Sequence, residues 1–407
     1  MTAKKKMIDA PAAAARAVVN AHGLNRLREG HPWIFRGDVE RVELAEAGGV
    51  VRVEDARGKV WGTALYSTQA PIALRMVAQN EVAAAQYPEL LRYRIKQAIA
   101  YRQRVVQDAD SFRVLFSEAD ITPGLIVDKY NDVLSVLAQT QAMNRPELRA
   151  VLLEELRAAY DPQTILERVD ERMRELEGLP PAEEAVLYKK GKKAKTETVI
   201  HMNGLAFHYN GGAGQKTGAF LDQRENYKAA ERHARGKALE ICTYQGGFSL
   251  HMNRVCDAVT AVDISSEALA VAEQNRVLNQ QKPVEWIEAD AFELLRKYAD
   301  ENRRYETVVL DPPAFAKSKR TAEDALRGYK EINLRALKMI RNGGVLVTCS
   351  CSFHVSEQDF VAMLSAAALD ARRNLHIIEK RMQAVDHPVL LNVPETHYLK
   401  CLVCSVF

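Results

Sequence analysis

The chain has 407 residues, of which 47% are hydrophobic and 27% charged, and its 56 basic and 53 acidic residues leave a formal net charge of only +3. This length exceeds one ordinary hydrophobic core and predicts two or three domains. The composition is that of a folded soluble protein, no apolar run is long enough for a membrane span, and the balanced charge does not by itself indicate a nucleic-acid partner.

The first residues predict neither a secretion signal nor a membrane anchor. Lysines precede an Ala-rich stretch, but Asp9 and Arg16 interrupt the apolar core that a signal peptide needs. We therefore expect a disordered tail over residues 1–17 and a cytoplasmic protein. The six cysteines are too few for a disulfide framework in a chain of this length. Cys401 and Cys404 stand three residues apart on a predicted strand and should point to opposite faces, so we expect core packing and no metal site.

Two regions of different pattern precede residue 196. Residues 18–80 alternate apolar and polar residues and break at glycines, which predicts a small β-barrel. Residues 81–195 mix helical and strand patterns and predict a central α/β domain. This domain ends in the lysine block "KKGKKAK" at 189–195, which suits a solvated linker or hairpin tip, or else an arm that contacts phosphates.

Residues 196–407 alternate strand, loop and helix. Apolar runs such as "AVTAVDIS", "TVVLDPPAF" and "GGVLVTCSCS" end in Asp, Gly or Cys and precede helical patterns. This order predicts a doubly wound, Rossmann-like parallel sheet and an α/β multi-domain protein. Ligands of such sheets bind beyond the carboxyl ends of the strands, so the strand-end residues are the candidate site residues.

The first three of these strands predict a nucleoside site. Gly246 and Gly247 in "KALEICTYQGGFSLHM" let the backbone approach a ligand in front of a helix. Asp263 follows at close to the spacing of about 20 residues at which a carboxylate reaches a ribose diol. The third strand ends at Asp290, where an adenine edge would lie. The predicted cofactor contacts from these strands are Tyr244, Gly246, Gly247, Phe248, Asp263, Ile264, Asp290 and Ala291.

The ligand of this site is predicted to be small. There is no phosphate-binding G-x-x-x-x-G-K-[ST] loop, so a triphosphate is not expected. Cys242 and Tyr244 occupy positions where glycines would open the loop for a pyrophosphate. An adenosine ligand without phosphates, S-adenosylmethionine, fits this loop.

The fourth strand ends in Asp311, followed by Pro312, Pro313 and Phe315, a stiff turn that could clamp a flat base against the methyl donor. Two chemistries remain open. The turn could accept hydrogen bonds from an exocyclic amine that attacks the methyl directly. Alternatively, a thiolate could add to C6 of a pyrimidine and make C5 nucleophilic.

Only the second chemistry uses a thiol, and "TCSCS" ends the fifth strand beside Asp311. Cys349 and Cys351 are two positions apart and therefore share a strand face. At least one of them should reach the cleft, but their spacing does not say which. A buried cysteine that only packs is the plainer alternative for the other.

Longer segments resemble one family across nearly the whole chain. "GQKTGAFLDQRENY", "CTYQGGFSLH", "LDPPAFAKSK", "SCS" and "DHPVLLNVPETHYLKCLVCSV" are similar to the large-subunit rRNA cytosine-5 methyltransferases, and "GLNRLREGHPWIFRGDV" is similar to their RNA-binding PUA domain. The resemblance implies a PUA barrel at 18–80, a central domain at 81–195 and a class I methyltransferase domain at 196–407. It also implies S-adenosylmethionine as cofactor, and 23S rRNA or a large-subunit precursor as partner. A homodimer is left open.

The resemblance implies roles for particular residues. Cys351 of "SCS" inherits the nucleophile role, although "TCS" also looks like the nucleophile motif of a second cytosine-5 family and keeps Cys349 as a candidate. Asp311 or a bound water would remove the C5 proton. Gln223 and Arg224 of "DQREN" would contact cofactor or target, with surface salt-bridging as the plain alternative for Arg224. The implied base-contacting residues are Pro312, Pro313, Phe315 and Lys317.

The PUA signature implied by the resemblance is Gly30, His31, Pro32, Trp33 and Phe35, with Trp33 and Phe35 expected in the barrel core. Two alternatives to cytosine-5 methylation remain. A base N-methyltransferase would use the Asp-Pro-Pro turn and no nucleophilic cysteine, and a non-catalytic RNA-binding assembly factor would bind RNA without methyl transfer.

Overall fold

The computed structural model describes residues 15–212, 219–316 and 319–407. The predicted tail lies outside the described residues up to position 14. Its last residues were assigned wrongly, because Arg16 and Ala17 already belong to the first strand. Ala17 is fully buried, and Arg16 is paired with Glu43.

The N-terminal unit is an open antiparallel-rich sheet around one small core. Its helix is α1 (Ala21–Arg28), which Asn20 caps by accepting from the Gly23 N–H. Its strands are β1 (Arg16–Val19), β2 (Trp33–Phe35), β3 (Val39–Glu43), β4 (Val50–Asp55), β5 (Val60–Tyr66) and β6 (Ile72–Ala78). Over residues 16–78 the order is β2-β6-β5-β4-β1-β3, and the edge strands β2 and β3 do not pair with each other. The prediction of a closed barrel was therefore wrong, although the strand content was correct.

The central unit packs two long helices on a second sheet. Its helices are α2 (Tyr87–Val105), α3 (Pro146–Tyr160) and α4 (Glu171–Glu177). Its strands are β7 (Ser111–Phe116), β8 (Leu125–Tyr130), β9 (Val133–Ala138), β10 (Thr164–Glu167) and β11 (Ala185–Lys189), in the order β11-β10-β9-β8-β7. Leu91, Ile95 and Ile99 of α2 lie at helical spacing and are buried against this sheet, as their periodicity predicts.

The lysine block lies between β11 and a separate hairpin. The hairpin strands are β12 (Glu197–Met202) and β13 (Leu205–Asn210). Within the block, Lys190 Nζ lies 2.6 Å from Asp161 and Lys195 Nζ lies 2.7 Å from Asp132. These two ion pairs therefore attach the segment between β11 and β12 to the central unit.

The C-terminal unit is a doubly wound sheet, as predicted. Its strands are β14 (Lys237–Ile241), β15 (Ala258–Asp263), β16 (Glu285–Glu288), β17 (Tyr305–Leu310), β18 (Ile340–Ser350), β19 (Leu375–Arg381) and β20 (Lys400–Val406). Its helices are α5 (Arg224–His233), α6 (Gly247–Met252), α7 (Ser266–Leu278), α8 (Ala291–Asp300), α9 (Ala322–Met339) and α10 (Glu357–Asp370). The described strands are ordered β16-β15-β14-β17-β18-β20-β19, and β20 runs antiparallel to both neighbours.

The central strands β15, β17 and β18 are mostly apolar and buried, which is typical of a parallel sheet with both faces covered. The two cysteines of β20 point to opposite faces of the sheet. Cys401 packs in the cluster that contains Cys349, Tyr227 and Phe248, whereas Cys404 packs in the cluster on the opposite face. This confirms the sequence prediction that their three-residue spacing sends them apart.

Polar contacts join the units near the loop between β19 and β20. Asp386 of this loop accepts from the backbone N–H of Arg113 in β7 at 2.7 Å and pairs with Arg224. The Trp33 indole N–H donates to Glu118 of the central unit at 3.0 Å. Phe35 is 38% exposed beneath the Arg26 guanidinium. The prediction that Trp33 and Phe35 fill a barrel core was therefore wrong, because one side chain spans a domain interface and the other lies at the surface.

Among the described residues, none of the helices combines the length and apolarity that a bilayer crossing requires. In the same part of the chain, no three His, Cys, Asp or Glu side chains converge as metal ligands would.

Candidate active site

One large cavity lies at the carboxyl ends of β14, β15, β17 and β18, with a volume of about 860 Å³. The strand order reverses between β14 and β17, so this is the topological switch point at which doubly wound sheets bind ligands. Most of the residues predicted from the sequence meet here. They are Gln223, Tyr244, Gly247, Phe248, Asp263, Ile264, Asp290, Ala291, Asp311, Pro312, Pro313, Phe315 and Cys351.

The loop after β14 has an unusual backbone. Cys242, Tyr244 and Gly246 all adopt positive φ, at 65°, 51° and 87°. Only glycine adopts this region without strain, so the two non-glycine residues hold a strained conformation worth of order 1–3 kcal/mol each. The loop therefore takes the course of a glycine-rich ligand loop, although the sequence places glycine at only one of the three positions.

Gly247, the first residue of α6, needs to be glycine for a second reason. A Cβ at this position would lie 2.5 Å from the ring carbon Cζ of Tyr227. Tyr227 in turn packs edge-to-face on Phe248 with ring centres 4.7 Å apart. The backbone at the start of α6 is thereby held against an aromatic wall and faces the cavity.

Asp263 and Asp290 are oriented by backbone amides. The Asp263 carboxylate accepts from the Tyr244 N–H at 2.7 Å and from the Ser265 N–H at 3.0 Å. Asp290 caps α8 by accepting from the Phe292 and Glu293 N–H groups. Each carboxylate keeps lone pairs that face the cavity, so both can still accept from a ligand hydroxyl or amine.

The cavity suits a cationic adenosine ligand. Beyond the carboxyl ends of β15 and β16, its lining includes the carboxyl groups of Asp263 and Asp290. A sulfonium and an ammonium group complement this lining, whereas a phosphate would be repelled. Ile264, which is 72% exposed, and Phe292 offer apolar contact beside Asp263 and Asp290. These residues fit S-adenosylmethionine with its adenosine at the β15–β16 end.

Asp311 stands at the centre of the opposite end. Its Oδ1 accepts from the Gln223 side-chain amide at 2.8 Å. Burial, reinforced by the charges of Asp222 and Glu240, raises the pKa of Asp311 to about 8. The carboxyl therefore keeps its proton at neutral pH, and it can act as a hydrogen-bond donor or a general acid.

This raised pKa predicts a pH-dependent stability. Above about pH 4 the unfolded chain releases a proton that folded Asp311 retains up to about pH 8. The free energy of unfolding should consequently fall as pH rises across this window. We expect Asp311→Asn to remove that loss, so that its Tm exceeds that of the unsubstituted protein by a few degrees at about pH 8.5 and by less at about pH 5.5.

The check is a pair of thermal melts at each pH. Asp300→Asn, at an exposed helix end, is the matched control and should leave the pH profile unchanged. A Tm difference for Asp311→Asn that stays constant or shrinks as pH rises would contradict the assignment.

The two cysteines of "TCSCS" occupy different depths. Cys349 lies within β18 and is fully buried against Cys401. Its thiol interacts with Asp311. Cys351 lies one residue past the end of β18, lines the cavity, and has its Sγ 4.0 Å from the Pro312 carbonyl oxygen. Among the described residues, Cys351 is therefore the thiol of this pair that reaches the cavity, a distinction that strand alternation does not make.

The Cys351 thiol has a nearby cation. Burial and the charges of Asp311 and Asp222 raise its pKa to about 12, while the charge of Lys400 lowers it. Lys400 Nζ donates to the Ser352 carbonyl at 2.6 Å and to the Tyr398 carbonyl at 2.8 Å. Burial lowers the pKa of Lys400 to about 8. Lys400 is thus placed to stabilise a Cys351 thiolate.

Sequence reasoning missed several cavity residues. Glu240 is buried at the end of β14 and accepts from Thr243 Oγ1 at 2.6 Å, and burial raises its pKa to about 7. Asp222 and Tyr398 also line the cavity. Asp222 stands directly beside Gln223 in "DQREN", so that motif was the available signal. Tyr398 and Lys400 lie in "DHPVLLNVPETHYLKCLVCSV", one of the segments that resemble the family, but that resemblance did not assign a role to either residue.

Two predicted residues that the structure describes, Arg224 and Gly246, do not line the cavity. The Arg224 guanidinium is buried against Asp386, 2.9 Å away, which differs from the expected cofactor contact. Gly246 sits at the N-cap of α6, next to the lining rather than in it. Lys317 lies outside the described residues. Arg224 faces away from the cavity because α5 packs its first turn on the β19–β20 loop.

Two family models match the chain. Residues 18–79 match a PUA-like domain, and residues 176–404 match an S-adenosylmethionine-dependent methyltransferase. The second match covers more than half of the chain and includes β14, β15, β17 and β18, whose carboxyl ends form the cavity. S-adenosylmethionine is therefore its cofactor.

Similar proteins and structures extend over almost the full length. Ribosomal RNA large subunit methyltransferase I of Pseudoalteromonas translucida is 34% identical over 94% of this chain and 96% of its own, and that of Klebsiella pneumoniae (strain 342) is 34% identical over 92% and 94%. The structure of a putative S-adenosylmethionine-dependent methyltransferase from Streptococcus mutans, 17% identical, covers 96% of this chain and 99% of its own with a TM-score of 0.78, and shares the fold. The chain belongs to the S-adenosylmethionine-dependent methyltransferases with a PUA-like domain, in the ribosomal RNA large subunit methyltransferase I family.

Proposed function

We propose that this protein methylates C5 of a cytosine in 23S rRNA, in the mature molecule or in a large-subunit precursor, through a covalent bond between Cys351 and C6. The observation that carries this proposal is the placement of the Cys351 thiol and the protonated Asp311 carboxyl at one end of the cofactor cavity. The name of the relatives supports an rRNA substrate.

C5 of cytosine is too weak a nucleophile to take a methyl group unaided. Cys351 gives its thiol proton to water and regains it when the sulfur is later expelled. Its sulfur adds to C6 while the Asp311 carboxyl gives its proton to N3, which makes C5 electron-rich. S-adenosylmethionine, when bound, supplies the electrophilic methyl group that C5 then takes. Loss of the C5 proton to water expels the Cys351 thiolate, and N3 returns its proton to Asp311. The net result is one methyl gained and one proton released.

The surroundings of these two groups suit a flat base. Phe315 lines the cavity and lies 5.8 Å from Phe292 and 4.6 Å from Tyr329, measured between ring centres. Pro312 and Pro313 stiffen the turn that carries Phe315. A pyrimidine stacked on this wall would present its edge to Asp311 and its C6 to Cys351.

The N-terminal unit offers a basic and aromatic surface for RNA. Lys59 and Arg28 lie over the Trp61 ring, at 4.6 and 5.4 Å from its centre, and Arg26 lies over Phe35. Cations supply phosphate contacts, and aromatic faces stack on unpaired bases. We assign this surface to docking of the rRNA, with the cavity as the site of a base extruded from the stack.

The test is the identity of the methylated nucleoside. Purified protein is incubated with methyl-labelled S-adenosylmethionine and unmodified 23S rRNA, and the digested nucleosides are identified by mass and retention. We expect 5-methylcytidine at one position, which the same label then maps. A methyl group on a ring or exocyclic nitrogen would favour the base N-methyltransferase instead, and RNA binding without any labelled nucleoside would favour the assembly factor.

A further inference from the structure

A hydrogen-bonded pair of side chains at the thiol end of the cavity has no role in the reaction described above. Tyr398, two residues before β20, donates its hydroxyl to Asp222 Oδ2 at 2.6 Å. Both side chains line the cavity, and 176 positions separate them in the chain. The pair therefore exists only because the loop before α5 and the end of the β19–β20 loop meet above β18.

The charge of Asp222 acts on the reacting groups. It raises the pKa of Asp311, of Cys351 and of Tyr398. Coulomb interactions weaken with distance and with solvent screening. Asp222 therefore lies close to Asp311 and Cys351, the two groups that the proposed reaction uses.

The pair has a defined hydrogen-bonding character. An ionised carboxylate can only accept hydrogen bonds. The Tyr398 hydroxyl donates to one Asp222 oxygen and so fixes the orientation of the carboxyl group. The other oxygen remains able to accept from a ligand.

Cytosine and uracil differ on the edge that Asp311 faces. Cytosine carries a 4-amino group, a donor, next to N3, whereas uracil carries a carbonyl oxygen, an acceptor. A fixed carboxylate beside Asp311 attracts the first and repels the second. Sites that hydrogen-bond a substrate group discriminate strongly, because the wrong substrate leaves a buried polar group unpaired.

We propose that Asp222, held by Tyr398, is the specificity-determining residue that accepts a hydrogen bond from the 4-amino group of the target cytosine and excludes uracil. This inference rests on the proposed function, since it assigns the edge of the base that the same cavity would hold. It gives the Asp222–Tyr398 pair a task distinct from cofactor binding and from the covalent step.

The test compares two transcripts, one with the mapped target cytosine and one with uracil at that position. We expect Asp222→Asn to lower kcat/KM on the cytosine transcript about 100-fold, the worth of one hydrogen bond to a charged group. Because an asparagine amide can also donate, the variant should form measurable 5-methyluridine on the uracil transcript. Tyr398→Phe should lower kcat/KM about tenfold and leave uracil excluded.

Binding of S-adenosylhomocysteine, measured by calorimetry, provides the control. Its Kd should stay within about twofold in Asp222→Asn, which also reports correct folding. Asp290→Asn is the matched variant at the other end of the cavity, and should weaken that binding without changing the choice of base.

Two results would overturn the inference while leaving the proposed function intact. In one, Asp222→Asn methylates the cytosine transcript at the full rate and still rejects uracil. In the other, it weakens S-adenosylhomocysteine binding and leaves base choice unchanged, which would assign Asp222 to the cofactor. If the unsubstituted protein formed no 5-methylcytidine, the proposed function would fail first and the inference with it.

Discussion

Cys351→Ala is expected to abolish methyl transfer, with a fall in kcat of at least about 10³-fold, because the proposed reaction activates C5 through the bond between the Cys351 sulfur and C6. The measurement is single-turnover transfer of label to 23S rRNA at saturating cofactor. Binding of S-adenosylhomocysteine should be unchanged, since the thiol lies at the opposite end of the cavity from Asp263 and Asp290.

Cys349→Ala is the matched control, two positions away in the same segment. Its thiol is fully buried, so the substitution should cost about 1 kcal/mol of stability and leave kcat within a few-fold. The reverse result, an active Cys351→Ala and an inactive Cys349→Ala, would move the nucleophile into the strand. Full activity in both variants would eliminate the covalent route and restore the direct N-methylation route.

A covalent intermediate can also be trapped in the same variants. 23S rRNA transcribed with 5-fluorocytidine carries a fluorine that cannot leave as the C5 proton does, so the Cys351–C6 bond should persist after methyl transfer. The unsubstituted protein and Cys349→Ala should form a stable protein–RNA adduct, and Cys351→Ala should form none.

Asp386→Ala is expected to cost about 3–5 kcal/mol of stability, the largest loss among the substitutions proposed for the domain contacts. Asp386 is fully buried and accepts from both terminal nitrogens of Arg224, at 2.9 and 3.1 Å. Without it, an almost fully buried guanidinium loses its hydrogen-bonded carboxylate and retains the Glu225 carboxylate, 3.7 Å away. Chemical denaturation monitored by fluorescence measures the change, with the free energy of unfolding extrapolated to water.

The double variant Arg224→Met/Asp386→Leu tests whether the stability lost in Asp386→Ala comes from the unpaired buried charge or from lost packing. It removes both charges and keeps the volume, so it should recover a large part of the loss. The charges of His387 and Arg224 hold the pKa of Asp386 well below its usual range. Since the folded pKa is depressed, this contribution is present above about pH 4 and is lost as pH falls below it. A single variant as stable as its parent at neutral pH would contradict the role of the pair.

Much of the C-terminal fold and of the cofactor end of the site could be predicted from local pattern. Asp263, Asp290 and Asp311 were predicted as site residues because each follows an apolar run that ends a parallel strand. The opposite faces of Cys401 and Cys404 followed from the two-residue period of a strand.

Other features depended on contacts between distant segments. The residues near Arg224 in the sequence do not predict its ion pair with Asp386. Those near Tyr398 do not predict its hydrogen bond to Asp222. The N-terminal strands were predicted correctly, but their closure into a barrel was not, because closure depends on whether the edge strands β2 and β3 meet. The positive φ angles of Cys242 and Tyr244 also went against residue preference, since the rest of the cavity holds that loop in place.

By itself, the sequence determined the strand-and-helix alternation of the C-terminal unit, the acidic ends of its strands and the presence of two cysteines beside a stiff proline turn. These features are local, because hydrophobic periodicity and strand ends are properties of neighbouring residues. Only the tertiary structure decided which cysteine reaches the cavity, which arginine is buried in an ion pair and which carboxyl groups line the cavity together with Cys351. Those outcomes depend on strand order and on where loops from different domains meet, and the burial of a side chain is set by neighbours far away in the chain.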